Sequence, residues 1–288
     1  MTGSGGIRMG YECFDVEVND RVAHLRMIRP ETHNSMVPSF WRELPEIVDR
    51  LSASGEARAL VLSSEGKHFS SGMDLAVFAN SDNVGQSGSG HRSRKAERFR
   101  STALQLQESF TALERARMPV LAAVSGACVG GGIDMICAAD LRYADETAFF
   151  SIAEINIGMT ADVGTLQRMP RLVPEGIVRE LAYTGRRWSA AEAHGAGFVN
   201  AVHADKDTLL EAVMATAAEI ATKSPMAIWG TKRSIEHARD HSVADGLEFI
   251  ANWNASMLDP DDMAEAFGAQ AEGRSADFPD LFPLSDGV

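Results

Sequence analysis

Residues 119–167 read PVLAAVSGACVGGGIDMICAADLRYADETAFFSIAEINIGMTADVGTLQ, and this stretch decides the fold. Its first part, VLAAVSGACV, is apolar and β-branched, broken only by small residues, which is the pattern of a buried strand. The triplet Gly130-Gly131-Gly132 ends the strand. IDMICAADL then resumes with apolar residues at Ile133, Met135, Ile136 and Cys137, dense enough for a short buried helix. A strand that breaks at three glycines and restarts as a helix leaves backbone N–H groups free at the helix start. With the helix dipole behind them, those groups suit an anion or a carbonyl oxygen that turns negative during a reaction. Three glycines also serve a plain tight turn with close packing. The triplet alone leaves both open.

Carboxylates downstream tip the balance towards chemistry. Asp134 falls in the first turn of the glycine-led helix, where an acid also simply complements the dipole. Glu154 ends the apolar run AFFSIAE. Asp162 sits among Thr160, Ala161, Val163 and Gly164, with few neighbours to solvate it, so burial and a raised pKa are expected. Three acids near one oxyanion site suit removal of a proton beside a carbonyl and its return elsewhere. For Asp162 taken alone, an N-cap on a helix starting near Val163 competes with that role.

From GACVGGGIDMICAADLRYADETAFFSIAEINIGMTADVGTLQRMPRLV the chain resembles the enoyl-CoA hydratase/isomerase (crotonase) superfamily. Within it the pattern is most similar to dienoyl-CoA isomerases, which carry acids at the positions of Asp134, Glu154 and Asp162. Ordinary hydratases typically have glutamates at the first two positions and a small or apolar residue at the third. The likeness runs from about His24 to the WNASML segment near Met257. It implies an α/β fold, a crotonase-like spiral of β-β-α units with a helical C-terminal region.

A second signature lies in EGKHFSSGMDLAVF, a strand-end loop with Ser-Gly-Met-Asp before a helix. The resemblance makes the N–H of Met73 one oxyanion donor and that of Gly131 the other. It also gives Arg29, Ser71, Gly72, Asp74, Leu75 and Gly132 as substrate-binding positions. Arg29 is the basic residue often found near coenzyme A, although a surface arginine without a ligand reads the same. The implied activity is isomerisation of 3,5-dienoyl-CoA to 2,4-dienoyl-CoA in unsaturated fatty acid β-oxidation. One of Glu154 and Asp162 takes the first proton, the other returns it, and Asp134 tunes the pair; no metal or redox cofactor is expected. A 2-enoyl-CoA hydratase using Asp134 and Glu154 on water is the alternative. A non-catalytic acyl-CoA binder is another, disfavoured because unused buried carboxylates are costly.

Composition sets the frame. The 288 residues, 31.0 kDa, are 45% hydrophobic and 23% charged, an ordinary globular profile with room for one large core. A net charge of −13 argues against nucleic-acid binding, and no apolar run is long enough to span a bilayer. That charge also opposes polyanionic coenzyme A, so local basic residues must meet the nucleotide end. Arg92, Arg94, Lys95, Arg98 and Arg100 are candidates, with the solvated face of a long helix running to Arg117 slightly favoured. Cys13, Cys128 and Cys137 are expected to be reduced core residues, not spaced as zinc ligands. MTGSGGIRMG lacks an apolar secretory core and PLSDGV lacks a Ser-Lys-Leu address, so a cytoplasmic location is the default expectation.

Along the rest of the chain, FDVEV and VAHLRM alternate around Asn19-Asp20, a hairpin with that pair as its turn. A helix is expected from about Val37 to Ser52, kinked or split by Pro45. ALVLSS reads as a buried strand, and 80–90 as a mobile polar loop. Ser189 opens a short helix, a strand follows near Phe198, and 207–222 is amphipathic. Residues 1–10 are thus a leader, 11–224 the catalytic core, and 225–288 a helical region expected to build trimers, or hexamers from them.

Overall fold

The computed structural model describes residues 10–74, 76–77 and 92–284. Leu75, the polar loop at 80–90 and all but the last residue of the leader lie outside the described residues. The large sheet has the order β1-β2-β3-β4-β6-β9. Its strands are β1 Phe14–Asn19, β2 Val22–Met27, β3 Ala59–Ser64, β4 Val120–Val124, β6 Leu141–Asp145 and β9 Ala201–His203. Only β1 and β2 are antiparallel; the remaining pairs are parallel. A second sheet holds β5 Ala127–Val129, β7 Phe149–Ser151 and β8 Trp188–Ser189. Twice the chain leaves the large sheet and enters the small one, from β4 to β5 and from β6 to β7, which gives the α/β spiral of paired strands expected from the sequence.

Strand alternation sorts the core. Leu60 and Leu62 of β3 face the main core, whereas Ala59 and Val61 face Leu209, Val213 and Ala217 of the helix Lys206–Ala221. β3 is covered on both faces, which is why ALVLSS is apolar almost throughout.

The hairpin turn falls one residue later than the sequence reading places it. Asp20 and Arg21 take φ values of 48° and 66°, as a two-residue turn between right-twisted strands requires, and Asn19 pairs with Val22. This register sets Met27 opposite Phe14, both buried, and a turn at Asn19-Asp20 would lose that pair. The strand expected near Phe198 is Ala201–His203 instead. Phe198 fills an aromatic cluster with Phe150 and Trp188.

Pro45 does not split its helix. Helix α1, Pro38–Ser54, runs through it, with Gly55 in the left-handed conformation ending it. Proline has no N–H for the carbonyl four residues back. That carbonyl belongs to Trp41, and the Ser109 hydroxyl donates to it at 2.9 Å. Ser109 is buried on the long helix α2, Arg92–Arg115, so a neighbouring helix supplies the missing bond.

Behind the glycines, α3 spans Gly131–Cys137 with every residue buried. The Ser189 helix, Ala190–Gly195, carries a complete capping box with Glu192. Three helices close the chain, at Pro225–Ala238, Val243–Met257 and Pro260–Glu272. The first is pinned by Lys232, whose buried ammonium donates to the Leu113 and Met118 carbonyls and to Asp140. The second has no buried residue and exposes Val243 and Leu247.

Candidate active site

Two segments end side by side at one cavity. Ser70 pairs with Cys128 as a parallel bridge, the Ser70 N–H donating to Ala127 O and the Val129 N–H to Ser70 O. Three residues further along each segment stand Met73 and Gly131, so the register sets them level. Met73 is also bridged to Met36, but there the donors are the Met36 and Asp74 N–H groups. Among the described residues, the N–H groups of Met73 and Gly131 donate to no acceptor.

Each glycine here has its own reason. Gly72, at φ 84°, brings its backbone so close that a Cβ would lie 2.7 Å from Val129 O and 3.3 Å from Gly131 N. Gly130, at φ 52°, turns strand into helix, and its N–H donates to Ser151 O. At Gly131 a Cβ would lie 2.8 Å from the Met36 sulfur; at Gly132, 3.3 Å from the Cys128 sulfur.

The cavity measures about 160 Å³. Ser71, Gly72, Met73, Gly130 and Gly131 form one wall, and Glu154 and Asp162 stand in it. The remaining wall is apolar, from Trp41, Phe99, Ala103, Leu106, Ile157 and Met159 among others. A void of roughly this size and lining suits a short hydrocarbon segment more than water.

The three acids hold different positions. Glu154 follows β7 and starts the 3₁₀ turn Glu154–Ile157. Its Oε2 is buried without a partner among the described residues, and burial, then the nearby Asp134 carboxylate, push its pKa up to about 7. Asp162 faces the cavity, and burial raises its carboxyl above the ordinary range. Asp134 is fully buried behind the wall and does not line the cavity. Its Oδ1 accepts the Thr165 N–H at 2.6 Å, its Oδ2 has no partner among the described residues, and burial lifts its pKa to about 6.

The competing role for Asp162 as an N-cap is not present. The short helix that follows, α4, is Thr165–Arg168, preceded by Gly164, and no side chain of the capping residue bonds its first turn. Its first N–H, that of Thr165, goes to Asp134.

The sequence-derived contacts divide. Asp74 orders the loop rather than the cavity: its carboxylate accepts from the Ser35 hydroxyl at 3.0 Å and the Ala76 N–H at 2.9 Å. The Arg29 guanidinium donates to Ser35 O at 3.0 Å and does not line the cavity. Gly132 packs between β5 and the Ser70 segment rather than on the cavity face. Arg92, Arg94, Arg98 and Arg100 are exposed, and of this helical turn only Phe99 reaches the cavity.

Two features escape the sequence reading. The α2 wall of Phe99, Thr102, Ala103 and Leu106 recurs at helical spacing, a signal hidden by the charged residues around it. A basic recess formed by His33, Lys67, His68 and Arg187 adjoins the cavity and shares Ser71 and Val129 with it. Its residues come from separate loops, which no local pattern marks.

Two free backbone donors, a glycine-led helix start and two acidic residues thus meet at one largely apolar cavity. Residues 17–281 match the sequence model of the family described as enoyl-CoA hydratase/isomerase, and the chain belongs to that family. An enoyl-CoA hydratase structure from Bacillus anthracis shares the fold, with TM-score 0.83 and 26% identity, covering 95% of this chain and 100% of that one. The chain is an enzyme of the dienoyl-CoA isomerase subgroup, as its curated relatives show. The human mitochondrial Delta(3,5)-Delta(2,4)-dienoyl-CoA isomerase is 41% identical over 254 residues, 88% of this chain and 77% of that protein. The peroxisomal enzyme of the same description from Arabidopsis thaliana is 41% identical over 260 residues, covering 90% and 93%.

These relatives overturn the cytoplasmic expectation, since they are mitochondrial or peroxisomal. That expectation rested on an apolar leader and a tripeptide not found. Mitochondrial addresses are amphipathic and Arg-rich and carry no apolar core.

Proposed function

We propose that the enzyme converts 3,5-dienoyl-CoA to 2,4-dienoyl-CoA. The observation that carries this is the pair of acidic residues, Glu154 and Asp162, lining one largely apolar cavity. The thioester oxygen accepts the N–H groups of Met73 and Gly131, which stabilise the dienolate once the proton beside the carbonyl leaves. One of the two acids removes that proton; the other returns one at the far end of the diene. Asp134 acts from behind the wall. Its charge pushes up the pKa of Glu154, and its bond to Thr165 fixes the segment after Asp162.

The protons balance: the acid that takes one ends protonated, the acid that returns one ends ionised, and proton exchange between them or with solvent resets the pair; no electron acceptor or metal enters this scheme. Hydration needs a water held between acid and substrate, whereas the apolar lining favours its exclusion. The basic recess of His33, Lys67, His68 and Arg187 is the place for the coenzyme phosphates, more so than the exposed Arg92–Arg100 turn. Ser71, shared by both hollows, lies where the pantetheine arm passes. Arg29 and Asp74 shape the loop leading to it. The exposed apolar residues Val243, Leu247, Leu258 and Phe267 suit self-association as trimers or hexamers. The pathway fitting this reaction is the β-oxidation of unsaturated acyl chains.

A panel of acyl-CoAs followed by ultraviolet absorbance tests the assignment. A 3,5-dienoyl-CoA is expected to gain the absorbance of a diene conjugated with the thioester, while a crotonyl-type substrate turns over far more slowly. Rapid hydration of the 2-enoyl substrate with no diene shift would give the site to a hydratase.

The raised acids also cost stability. Glu154 holds its proton to about pH 7 in the fold, against an ordinary 4.5. Its contribution is therefore present below about pH 4.5 and is lost as the pH rises through 7. Glu154→Gln removes that titration, so the variant is expected to melt above the parent enzyme at pH 8, by on the order of 2 kcal/mol in stability. The gap should close by pH 4–5. Melting curves at the two pH values read this directly.

A further inference from the structure

Asp162 lies on a stretch with no regular structure of its own, between Ala161 and the glycine at 164. Something else must hold its carboxyl over the cavity. The Gln107 side-chain amide donates through Nε2 to the Asp162 backbone carbonyl at 2.7 Å. Gln107 is half-buried on α2 and is adjacent to Leu106, which lines the cavity.

The same helix grips the next residues through Arg168. That guanidinium donates to the Thr111 hydroxyl at 3.1 Å and to Glu114 at 2.8 Å, and reaches Val163 O at 3.4 Å. Gln107, Thr111 and Glu114 recur at i, i+4 and i+7, one stripe of the helix. Gly164, at φ 136°, takes a backbone conformation that a residue with a side chain rarely adopts, and a Cβ there would also displace the guanidinium. Of these bonds, only the one from Gln107 reaches Asp162 itself.

We infer that Gln107 is a positioning residue for proton transfer, aiming Asp162 at the substrate by holding its backbone carbonyl from the helix that also walls the acyl cavity. Gln107 touches no reacting atom and acts only through Asp162. This rests on Asp162 being one of the two proton-transferring acids, and the test separates the two claims. A displacement of order 1 Å at a reacting group costs up to ~10²-fold in rate.

The experiment is a double-mutant cycle with Gln107→Leu and Asp162→Asn on the full chain, read as kcat and KM on a 3,5-dienoyl-CoA. Gln107→Leu alone is expected to lower kcat by ~10–10²-fold with KM within about two-fold. In the Asp162→Asn background the same change should add no further loss, because the group it positions is gone. Gln107→Glu keeps the shape and, when ionised, offers no donor; it should reproduce the loss even if the leucine variant folds poorly. Unchanged kcat in Gln107→Glu, or an equal loss with and without Asp162, overturns the positioning role and leaves the two-acid scheme standing. Full activity of Asp162→Asn overturns the scheme itself, and this inference with it.

Discussion

Asp162→Asn should lower diene isomerisation by roughly 10²–10⁴-fold, the cost of losing a general acid or base, with no loss of thermal stability. The substitution keeps size and hydrogen-bonding capacity and removes only the titratable group. Had Asp162 capped α4, asparagine would cap nearly as well and activity would survive. The Thr165 N–H is instead bonded by Asp134, so the asparagine variant gives up no cap. Burial raises the Asp162 pKa, so removing the charge relieves a cost rather than adding one. Glu154→Gln should lose comparable activity, since a proton taken at one end must be delivered at the other. Rates and melting curves measured together separate this outcome from misfolding. A folded Asp162→Asn protein with full isomerase activity would sink the two-acid scheme.

Gly131→Ala should cost ~10²–10³ in kcat, the range for losing one oxyanion donor. The reason is local crowding, because φ at Gly131 is ordinary. A Cβ would sit 2.8 Å from the Met36 sulfur and 3.8 Å from the Trp41 ring. Met36 is fully buried, so its side chain has no solvent to turn into, and its N–H is bonded to Gly72 O, so its backbone cannot back away without moving the partner strand end. The new methyl therefore tilts the Gly131 N–H off the thioester oxygen or widens its gap from the Met73 N–H. Either error falls on kcat more than on KM, because the donors bind the dienolate more strongly than the ground-state carbonyl. The valine variant should be worse than the alanine one. Near-normal kcat in a folded Gly131→Val protein would remove this N–H from the mechanism.

Much of this was legible in the sequence because it is written locally. A β-branched run, three glycines and a dense apolar helix sit within one short stretch, and the capping box at Ser189 spans four residues. What was hidden depends on distant partners. That Asp134 bonds Thr165 rather than facing the cavity follows from how α3 packs on α4, which no spacing reveals. The α2 wall was masked by its own charges: Arg98 and Arg100 flank Phe99 and draw the eye to the solvated face. The recess of His33, Lys67, His68 and Arg187 gathers residues from three places in the chain. The uninterrupted α1 was illegible from Pro45 alone, because its rescue comes from a serine 64 positions later.

That rescue makes two distant positions depend on one another. With proline at 45, the carbonyl of Trp41 depends on Ser109, and losing the hydroxyl strands a buried acceptor at a cost of about 1–3 kcal/mol. With any other residue at 45, the helix satisfies that carbonyl itself and the serine becomes replaceable. The two side chains are thus energetically coupled, and the serine matters because the proline is there. Trp41 stands in the cavity wall, so this coupling bears on the shape of the acyl site as well as on a helix.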